Sequence, residues 1–204
     1  MLMIKYDKLS LNFETNEKVF SPKGLDAGTK AMLEEATIQA QDRILDLGCG
    51  FGFVGIYLAK KYPSSSITMV DISQNAINLS SKNARVNDVT PEIILSEGFN
   101  AISQKTFDVI LTNPPYHVDF SVPKKFIENA YLQLTLNGKL YMVTKRRKWY
   151  ENKIRSIFSY VKVTENNGYY IFYAEKREKK AINKKKEKGN LSKKLRRKYD
   201  KRKG

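Results

Sequence analysis

The sequence predicts an α/β fold built on a mostly parallel sheet. Between residues 40 and 175, short apolar runs alternate with stretches of helical periodicity, which is the pattern of consecutive βαβ units. A glycine cluster at residues 48–52 follows the first apolar run, and Asp71 ends the second. A chain of 204 residues has the size of one ordinary domain with a single core. We therefore expect one doubly wound domain.

The alternating pattern places each element in turn. Apolar runs predict strands at residues 43–47, 66–70, 92–96, 107–112 and 139–144, and helical spacing predicts helices at 53–62, from Ser73 onward, at 123–136 and at 149–160. Ser73 is a suitable N-cap, because its hydroxyl can accept from a free N–H of the first turn. Asn137-Gly138 is expected to end the helix that precedes it. The last two runs, 161–165 and 169–175, flank an Asn-Gly pair and predict an antiparallel hairpin.

Residues 1–25 are expected to form a small N-terminal β addition and loop. Two short β segments are predicted at residues 9–13 and 18–20, and both are expected to lie against a helix at residues 26–40. The main domain then covers residues 26–176.

The positive charge is concentrated at the C-terminal end. The net charge is +16, and residues 175–204 contribute +12 of it, from 16 Lys or Arg and 4 Asp or Glu. Few apolar side chains occur there, so residues 177–204 are expected to form a disordered basic tail. Such a tail can bind a polyanion through counterion release, and a purely solubilising role accounts for the same composition.

Composition excludes several classes of protein. No apolar run is long enough to cross a bilayer and the N-terminus lacks a secretion pattern, so a cytoplasmic protein without membrane attachment is expected. One Cys and one His can form neither an internal disulfide nor a structural zinc site, and no metal is expected. We also expect a monomer.

A nucleoside ligand is predicted at the turn after the first strand. Glycines there let the backbone approach a ligand, and the following helix offers unpaired N–H groups. Asp71 lies 19 residues after Gly52, at a strand end where a carboxylate can accept from both hydroxyls of a ribose. The predicted binding residues of this region are Asp46, Gly48, Cys49, Gly50, Gly52, Asp71 and Ile72.

Asp46 distinguishes two candidate cofactors. A dinucleotide sets its pyrophosphate on the helix N-terminus, where Asp46 would repel it. S-adenosyl-L-methionine has no phosphate and carries a cationic amino group that a carboxylate can hold. Gly55 completes a spacing that also suits a nicotinamide dinucleotide, so the loop alone leaves that alternative open. The favoured cofactor is S-adenosyl-L-methionine.

The fourth strand of this domain ends in a turn that predicts amine chemistry. Its residues are Asn113, Pro114, Pro115 and Tyr116. The Asn113 side-chain oxygen and the Pro114 carbonyl can accept both hydrogens of one exocyclic amino group, which aims the nitrogen lone pair at an incoming methyl. Tyr116 can stack on a planar substrate. These four residues are the predicted catalytic residues.

The motifs DLGCGFG at residues 46–52 and NPPY at residues 113–116 resemble those of class I S-adenosylmethionine-dependent methyltransferases. With FSPKGLDAGTKAML at 20–33 and GYYIFYAEK at 168–176, residues 9–176 resemble the catalytic domain of small-subunit ribosomal RNA guanine-N2 methyltransferases. The resemblance implies a Rossmann-like, seven-stranded sheet whose final hairpin inserts antiparallel. It also implies that Asp71 holds ribose, that Glu97 and Gly98 meet adenine, and that Thr29 and Asn113 border the donor. Larger members carry a second domain for which this chain has no room.

Ribosomal RNA or a ribosomal subunit is the predicted partner. The cationic run 145–150 is interleaved with aromatic residues at the expected active edge of the sheet, which suits phosphate pairing and stacking on Trp149 or Tyr150. The alternative is a solvated loop with Trp149 in the core. The predicted RNA-contacting residues are Phe20, His117, Lys145, Arg146, Arg147 and Lys148.

The sequence leaves other functions open beside methylation of guanine N2. Adenine-N6 methylation of DNA or RNA and glutamine-N5 methylation of protein use the same turn chemistry. A noncatalytic RNA-binding assembly factor could retain the pocket, although such a protein has no use for an amine-orienting turn. A nicotinamide oxidoreductase is the most distant alternative.

Overall fold

The computed structural model describes residues 1–115 and 119–177 of the chain. In chain order the elements are β1 (Leu2–Tyr6), β2 (Leu9–Phe13), α1 (Ala27–Glu35), β3 (Arg43–Leu47), α2 (Phe53–Lys61), β4 (Ser66–Asp71), α3 (Gln74–Val86), β5 (Glu92–Leu95), β6 (Phe107–Thr112), α4 (Ser121–Gln133), β7 (Leu134–Thr144), α5 (Lys148–Phe158), β8 (Lys162–Asn166) and β9 (Tyr169–Glu175). A short 3₁₀ turn lies at Asn100–Ile102.

Seven strands form one sheet in the order β5-β4-β3-β6-β7-β9-β8. Strands β3 to β7 run parallel, and β9 lies antiparallel between β7 and β8. The chain fills one side of β3 with β4 and β5 before it crosses to β6 on the other side. A cleft therefore opens at the carboxyl ends of β3 and β6, where ligands bind in sheets of this kind. The predicted seven-stranded, mostly parallel sheet with a C-terminal antiparallel hairpin is confirmed.

The sheet separates two hydrophobic cores. Along β3, Ile44 enters one core and Leu45 the other, because successive side chains of a strand point to opposite faces. The core containing Ile44 is covered by α1, α2 and α3, and the core containing Leu45 by α4 and α5. Strands buried on both faces explain why the runs that predicted them are continuously apolar.

The N-terminal addition differs from its prediction. Strand β2 is confirmed, but it pairs with β1, which was not predicted, and residues 18–20 form no strand. The resulting hairpin lies against α3 rather than α1. Asn87, the C-cap of α3, accepts from the N–H of Asn12 at 3.0 Å and donates to its carbonyl at 2.7 Å, so an asparagine amide substitutes for a neighbouring strand along the edge of β2.

Two helix ends were predicted too late. Helix α1 ends at Glu35, because Ala36 is extended and the following segment turns back toward β3. Helix α4 ends at Gln133, and Asn137-Gly138 lies inside β7 instead of ending the helix. There the register between β7 and β6 shifts, and the backbone of Asn137 bonds instead to the residue after β9. The Asn137 N–H donates to the Lys176 carbonyl at 2.7 Å. Asn137 takes a φ of +63°, so the Asn-Gly signal marks a bulge.

Within the described residues, no helix combines the length and the apolar character needed to span a membrane. The predicted basic tail, apart from Arg177, lies outside the described residues, and the boundaries at residues 25 and 176 stay predictions.

Candidate active site

The turn after β3 is shaped by two glycines with positive φ. Gly48 and Gly50 have φ of +84° and +57°, a region that glycine adopts without strain. The N–H groups of Gly48 and Cys49 both donate to the carbonyl of Val70 at 2.9 Å, which ties the turn to the end of β4. Because a Cβ at either glycine would meet no atom within 4 Å, the backbone conformation and not crowding selects glycine here.

Asp71 organises the same turn through both of its carboxylate oxygens. Oδ2 accepts from the N–H of Gly50 at 2.9 Å, and Oδ1 accepts from the N–H of Ser73 at 2.9 Å. The side chain still lines the cavity described below. Since each carboxylate oxygen can accept more than one hydrogen bond, Asp71 has acceptor capacity for a ligand hydroxyl as well.

Asp46 is the most deeply buried acid of the site, with 4% of its surface exposed. Burial raises the pKa of its carboxyl to about 7; the hydrogen bond from the Gly55 N–H, at 3.0 Å, acts in the opposite direction, and the nearby Asp71 adds to the rise. A cationic ligand group beside Asp46 would favour the ionised form.

One cavity of about 470 Å³ lies at the carboxyl ends of β3, β4, β5 and β6. It collects most of the predicted site residues: Phe20, Thr29, Asp46, Gly48, Cys49, Gly50, Asp71, Ile72, Glu97, Gly98, Asn113, Pro114 and Pro115 all line it. Gly52 does not line it, and its φ of +98° starts α2. Tyr116 and His117 lie outside the described residues.

An apolar recess forms the β4–β5 side of the cavity. Ile72 is 71% exposed immediately after Asp71, and Phe99 and Phe126 meet edge to face with ring centroids 6.4 Å apart. The turn at Gly98 is held by Ser96, whose hydroxyl donates to the Gly98 carbonyl at 2.9 Å. A flat aromatic ligand group suits such a recess.

Asn113 leaves β6 at the opposite side of the cavity with its amide fixed in one orientation. Its Nδ2 donates to Oδ2 of Asp26 and to Oγ1 of Thr29, both at 3.0 Å. A carboxylate only accepts, so Nδ2 must face α1 and Oδ1 must lie on the other side of the amide. The buried Pro114 follows it and lines the cavity too.

Asp26 and Tyr169 complete this arrangement, and neither was predicted as a site residue. Asp26 caps α1 by accepting from the Thr29 N–H at 2.9 Å, and the hydroxyl of Tyr169 on β9 donates to its Oδ1 at 2.9 Å. The phenol ring packs directly on Gly28, where a Cβ would lie 2.3 Å from the ring. Glycine at position 28 therefore permits the approach of β9 to α1.

The segment before α1 forms one wall of the cavity through Lys18, Val19, Phe20 and Ser21. Asn83 on α3 holds the chain just after β2, at Glu14, to the glycine turn. Its Nδ2 donates to the carbonyls of Glu14, at 2.9 Å, and Phe51, at 2.8 Å, and its Oδ1 accepts from the Glu14 N–H at 2.7 Å. The N-terminal addition is thus part of the site; among its residues, only Phe20 was predicted as a site residue.

The cationic run follows β7 and stands apart from the cavity lining. Lys145, Arg146, Arg147 and Lys148 are all exposed. Lys145 lies over the ring of Tyr169 at 4.9 Å, and Arg146 over that of Phe120 at 5.3 Å. Tyr150 is only 3% exposed and packs on Phe172, so the expectation that it stacks on RNA is wrong; Trp149 is partly exposed.

Cys49 has no reactive character. Burial raises the pKa of its thiol well above the usual value, so the uncharged form prevails. Within the ranges 1–115 and 119–177, no group of three His, Cys, Asp or Glu side chains is arranged to hold a metal ion.

Comparison with known proteins places the chain in a family. The model of the methyltransferase small domain matches residues 10–173. The ribosomal RNA small subunit methyltransferase C of Pseudoalteromonas translucida is 35% identical over 159 residues, which are 76% of this chain and 46% of that protein. The protein YbxB of Bacillus subtilis is 33% identical over 171 residues, which are 80% of this chain and 85% of that protein. The chain thus spans about half the length of the methyltransferase C relatives.

Solved structures share the fold. A 16S rRNA N2 methyltransferase of T. thermophilus, solved in complex with AdoMet and guanosine, superposes with a TM-score of 0.79 at 23% identity, over 86% of this chain and 50% of that one. A methyltransferase from Pyrococcus furiosus gives a TM-score of 0.69 at 18% identity, over 81% and 89% of the two chains. The predicted methyltransferase class is confirmed at the level of the family. This chain belongs to the methyltransferase small domain family.

Proposed function

We propose that this chain transfers a methyl group from S-adenosylmethionine to an exocyclic amino group of a base in RNA, and specifically to guanine N2 of small-subunit ribosomal RNA. The observation that carries the proposal is the fixed orientation of the Asn113 amide at a cavity that Asp46 and Asp71 also line. Relatives named as ribosomal RNA small subunit methyltransferase C support the choice of RNA.

The residues on the donor side fit S-adenosylmethionine. Asp71 offers two carboxylate oxygens to a ribose, the recess around Ile72 and Phe99 offers apolar surface to adenine, and Asp46 offers a negative charge to the cationic end. Burial and the nearby Asp71 raise the pKa of Asp46, and no cation of the described residues counts among the causes of the shift, so a cationic ligand group would stabilise the ionised carboxylate. When bound, the donor supplies an electrophilic methyl group on a sulfonium.

Asn113 and Pro114 would act by positioning the acceptor. The Asn113 side-chain oxygen and the Pro114 carbonyl accept the two hydrogens of one amino group, and its nitrogen lone pair then points across the cavity. The nitrogen forms the new bond to carbon, the carbon–sulfur bond breaks with its electron pair left on sulfur, and one N–H proton is lost to water. Positioning of this kind lowers the activation barrier by on the order of 7–11 kcal/mol, so no further catalytic group is required.

RNA would approach over the cationic run. Lys145 and Arg146 extend from the end of β7 beside Tyr169 and Phe120, which provides charge for phosphates next to aromatic faces for bases. Phe20, on the wall of the cavity, is proposed to meet the target base. The basic residues 178–204, outside the described residues, would add sequence-independent attraction.

A transfer assay tests the proposal. Unmodified small-subunit ribosomal RNA, naked and assembled with its proteins, is incubated with the chain and methyl-labelled donor, and the digested nucleosides are identified by mass spectrometry. We expect label in N2-methylguanosine and none with Asn113→Ala. Label in N6-methyladenosine would overturn the guanine assignment, label in glutamine of a protein would overturn the RNA substrate, and label in no product would overturn the proposed transfer.

A further inference from the structure

We propose that Asp26, held in place by Tyr169, is a positioning residue for methyl transfer that sets which face of the Asn113 amide meets the substrate. The inference rests on the proposed function, because it assigns the Asn113 oxygen to the amino group of the acceptor. It adds two residues from the two ends of the domain to the machinery of the reaction.

Three elements converge on the Asp26 carboxylate. Oδ2 accepts from Nδ2 of Asn113 at 3.0 Å, and from the N–H and the hydroxyl of Thr29 at 2.9 and 3.3 Å. Oδ1 accepts from the Tyr169 hydroxyl at 2.9 Å. The carboxylate is therefore held from α1, from the end of β6 and from β9, and cannot rotate without breaking a hydrogen bond.

The chemistry of this carboxylate selects the orientation of the amide. The oxygen and nitrogen ends of an Asn side chain have nearly the same shape, so packing alone distinguishes them poorly. In the flipped orientation, the Asn113 oxygen would face Asp26 Oδ2 at hydrogen-bond distance with no hydrogen between them. Hydrogen bonds to a charged group are the strong ones, so Asp26 favours the orientation that turns Nδ2 toward α1.

The Nδ2 side of the Asn113 amide could not hold the amino group of the substrate. An amino group of a base offers two hydrogens, so it needs acceptors, whereas a flipped Asn113 would present Nδ2 and its hydrogens. Losing the bias from Asp26 should populate the flipped amide and lower the transfer rate without changing the donor pocket. Tyr169 acts one step further away, since it fixes Asp26.

The substitution Asp26→Ser separates this role from helix capping. Serine is as good an N-cap as aspartate and preserves the bond to the Thr29 N–H, but it is too short to reach both Asn113 and Tyr169. We expect Asp26→Ser to lower kcat by about 10- to 100-fold with the donor Kd changed less than about threefold. These figures correspond to loss of one hydrogen bond to a charged group.

A double-mutant cycle tests the coupling. Tyr169→Phe removes one hydroxyl, and we expect it to lower kcat by about three- to tenfold in the wild-type background and to have no further effect on Asp26→Ser. Tyr173→Phe is the matched control, because its hydroxyl donates to a carboxylate, that of Glu175, at 3.0 Å on the same strand. We expect Tyr173→Phe to leave kcat unchanged.

A spectroscopic readout separates this inference from the proposed function. The side-chain NH₂ signal of Asn113, identified by its loss in Asn113→Asp, is compared in asparagine-labelled wild type and Asp26→Ser. We expect its chemical shift to move in Asp26→Ser and not in Tyr173→Phe, whichever substrate is used. An unmoved signal, an unchanged kcat in Asp26→Ser, or additive effects in the cycle would overturn the inference, whereas absence of transfer by the wild type would overturn only the proposed function.

Discussion

The backbone N–H of Gly50 donates a hydrogen bond of 2.9 Å to Oδ2 of Asp71, which joins the turn after β3 to the end of β4. The residue predicted to bind ribose therefore also shapes the turn predicted to approach the donor. A substitution at Asp71 acts on both, so a loss of affinity alone does not prove contact with ribose.

Asp71→Asn should weaken binding of S-adenosylmethionine by at least about tenfold, because it replaces one acceptor oxygen by a donating group. Calorimetric titration with the donor and with its 2′-deoxy analogue isolates the ribose contact. The wild type should prefer the ribose form, and the variant should not distinguish the two ligands. Equal loss of affinity for both ligands, with the preference retained, would mean that Asp71 only shapes the turn.

Donor affinity should depend on pH through Asp46. The pKa of this carboxyl is raised to about 7 in the free protein, and a cationic donor binds better to the ionised form. Affinity should therefore rise as the pH increases through 7 and level off above it. If only the ionised form binds, Kd should be about tenfold higher at pH 6 than at pH 8.

Calorimetry in two buffers of different ionisation enthalpy checks this, since binding at pH 6.5 should also release protons. The control is Asp46→Asn, which keeps the shape of the side chain and removes the titration. Its donor affinity should be weak and constant over the same range. A wild-type affinity that is flat, or that rises toward low pH, would contradict the assignment of Asp46 to the cationic end.

RNA binding should lose part of its salt dependence when Lys145 and Arg146 are neutralised. In Lys145→Gln/Arg146→Gln, each lost contact to a single-stranded phosphate should reduce the slope of log affinity against log salt by about 0.7. The matched control is Lys5→Gln/Lys162→Gln, which removes two exposed cations elsewhere and should leave the slope unchanged. Equal slopes for the two double variants, measured by filter binding, would exclude the run from the RNA interface.

The fold followed from the sequence wherever local pattern and burial agree. Strands β3 and β6 are buried on both faces, so their apolar runs are unambiguous, and the position of Asp71 follows from the strand that it ends. The predicted element bounds were wrong where the backbone forms hydrogen bonds to residues distant in the sequence. Asn137 bonds to Lys176, and β2 is bordered by β1 and by the side chain of Asn87. Neither contact leaves a periodic signal.

The sequence predicted those site residues whose role belongs to a single short motif. Asp46 lies near the end of a predicted strand, and Asp71 and Asn113 directly follow theirs, so their convergence at the carboxyl ends of the strands could be inferred. Asp26 and Tyr169 could not, because they are 143 positions apart and meet only through the packing of β9 on α1. The link between Glu14, just after β2, and Phe51 in the glycine turn is provided by Asn83, a polar residue within an otherwise ordinary amphipathic helix.

The ion pair between Arg43 and Asp108 lies at the amino ends of β3 and β6, away from the cavity. It should affect the stability of the protein and not the rate of methyl transfer. Hydrogen bonds from Arg43, which contribute most, hold the pKa of Asp108 down to about 2; the Thr135 hydroxyl also donates to this carboxylate. A group whose pKa is lowered by folding stabilises the protein above its unfolded pKa near 4, and this contribution is lost as the pH falls through about 2. Asp108→Asn should therefore lower the free energy of unfolding at pH 7 by about 1–2 kcal/mol.

Urea denaturation of Asp108→Asn and wild type at several pH values checks this, with kcat measured on the same preparations. The difference between the two proteins should shrink as the pH falls toward 2, where about half of the Asp108 carboxyl groups are protonated. A difference that is the same at pH 7 and at the lowest pH at which both fold would show that the charge of Asp108 does not contribute.

In the proposed reaction, Asn113 holds the acceptor amine and contributes little to donor affinity. The most direct measurement is the single-turnover rate of methyl transfer to ribosomal RNA by Asn113→Ala, with donor and RNA affinities determined on the same sample. We expect a rate lower by at least about 100-fold, with both affinities within about threefold of the wild type. A rate close to that of the wild type, or loss of donor binding in a folded variant, would contradict this role of Asn113.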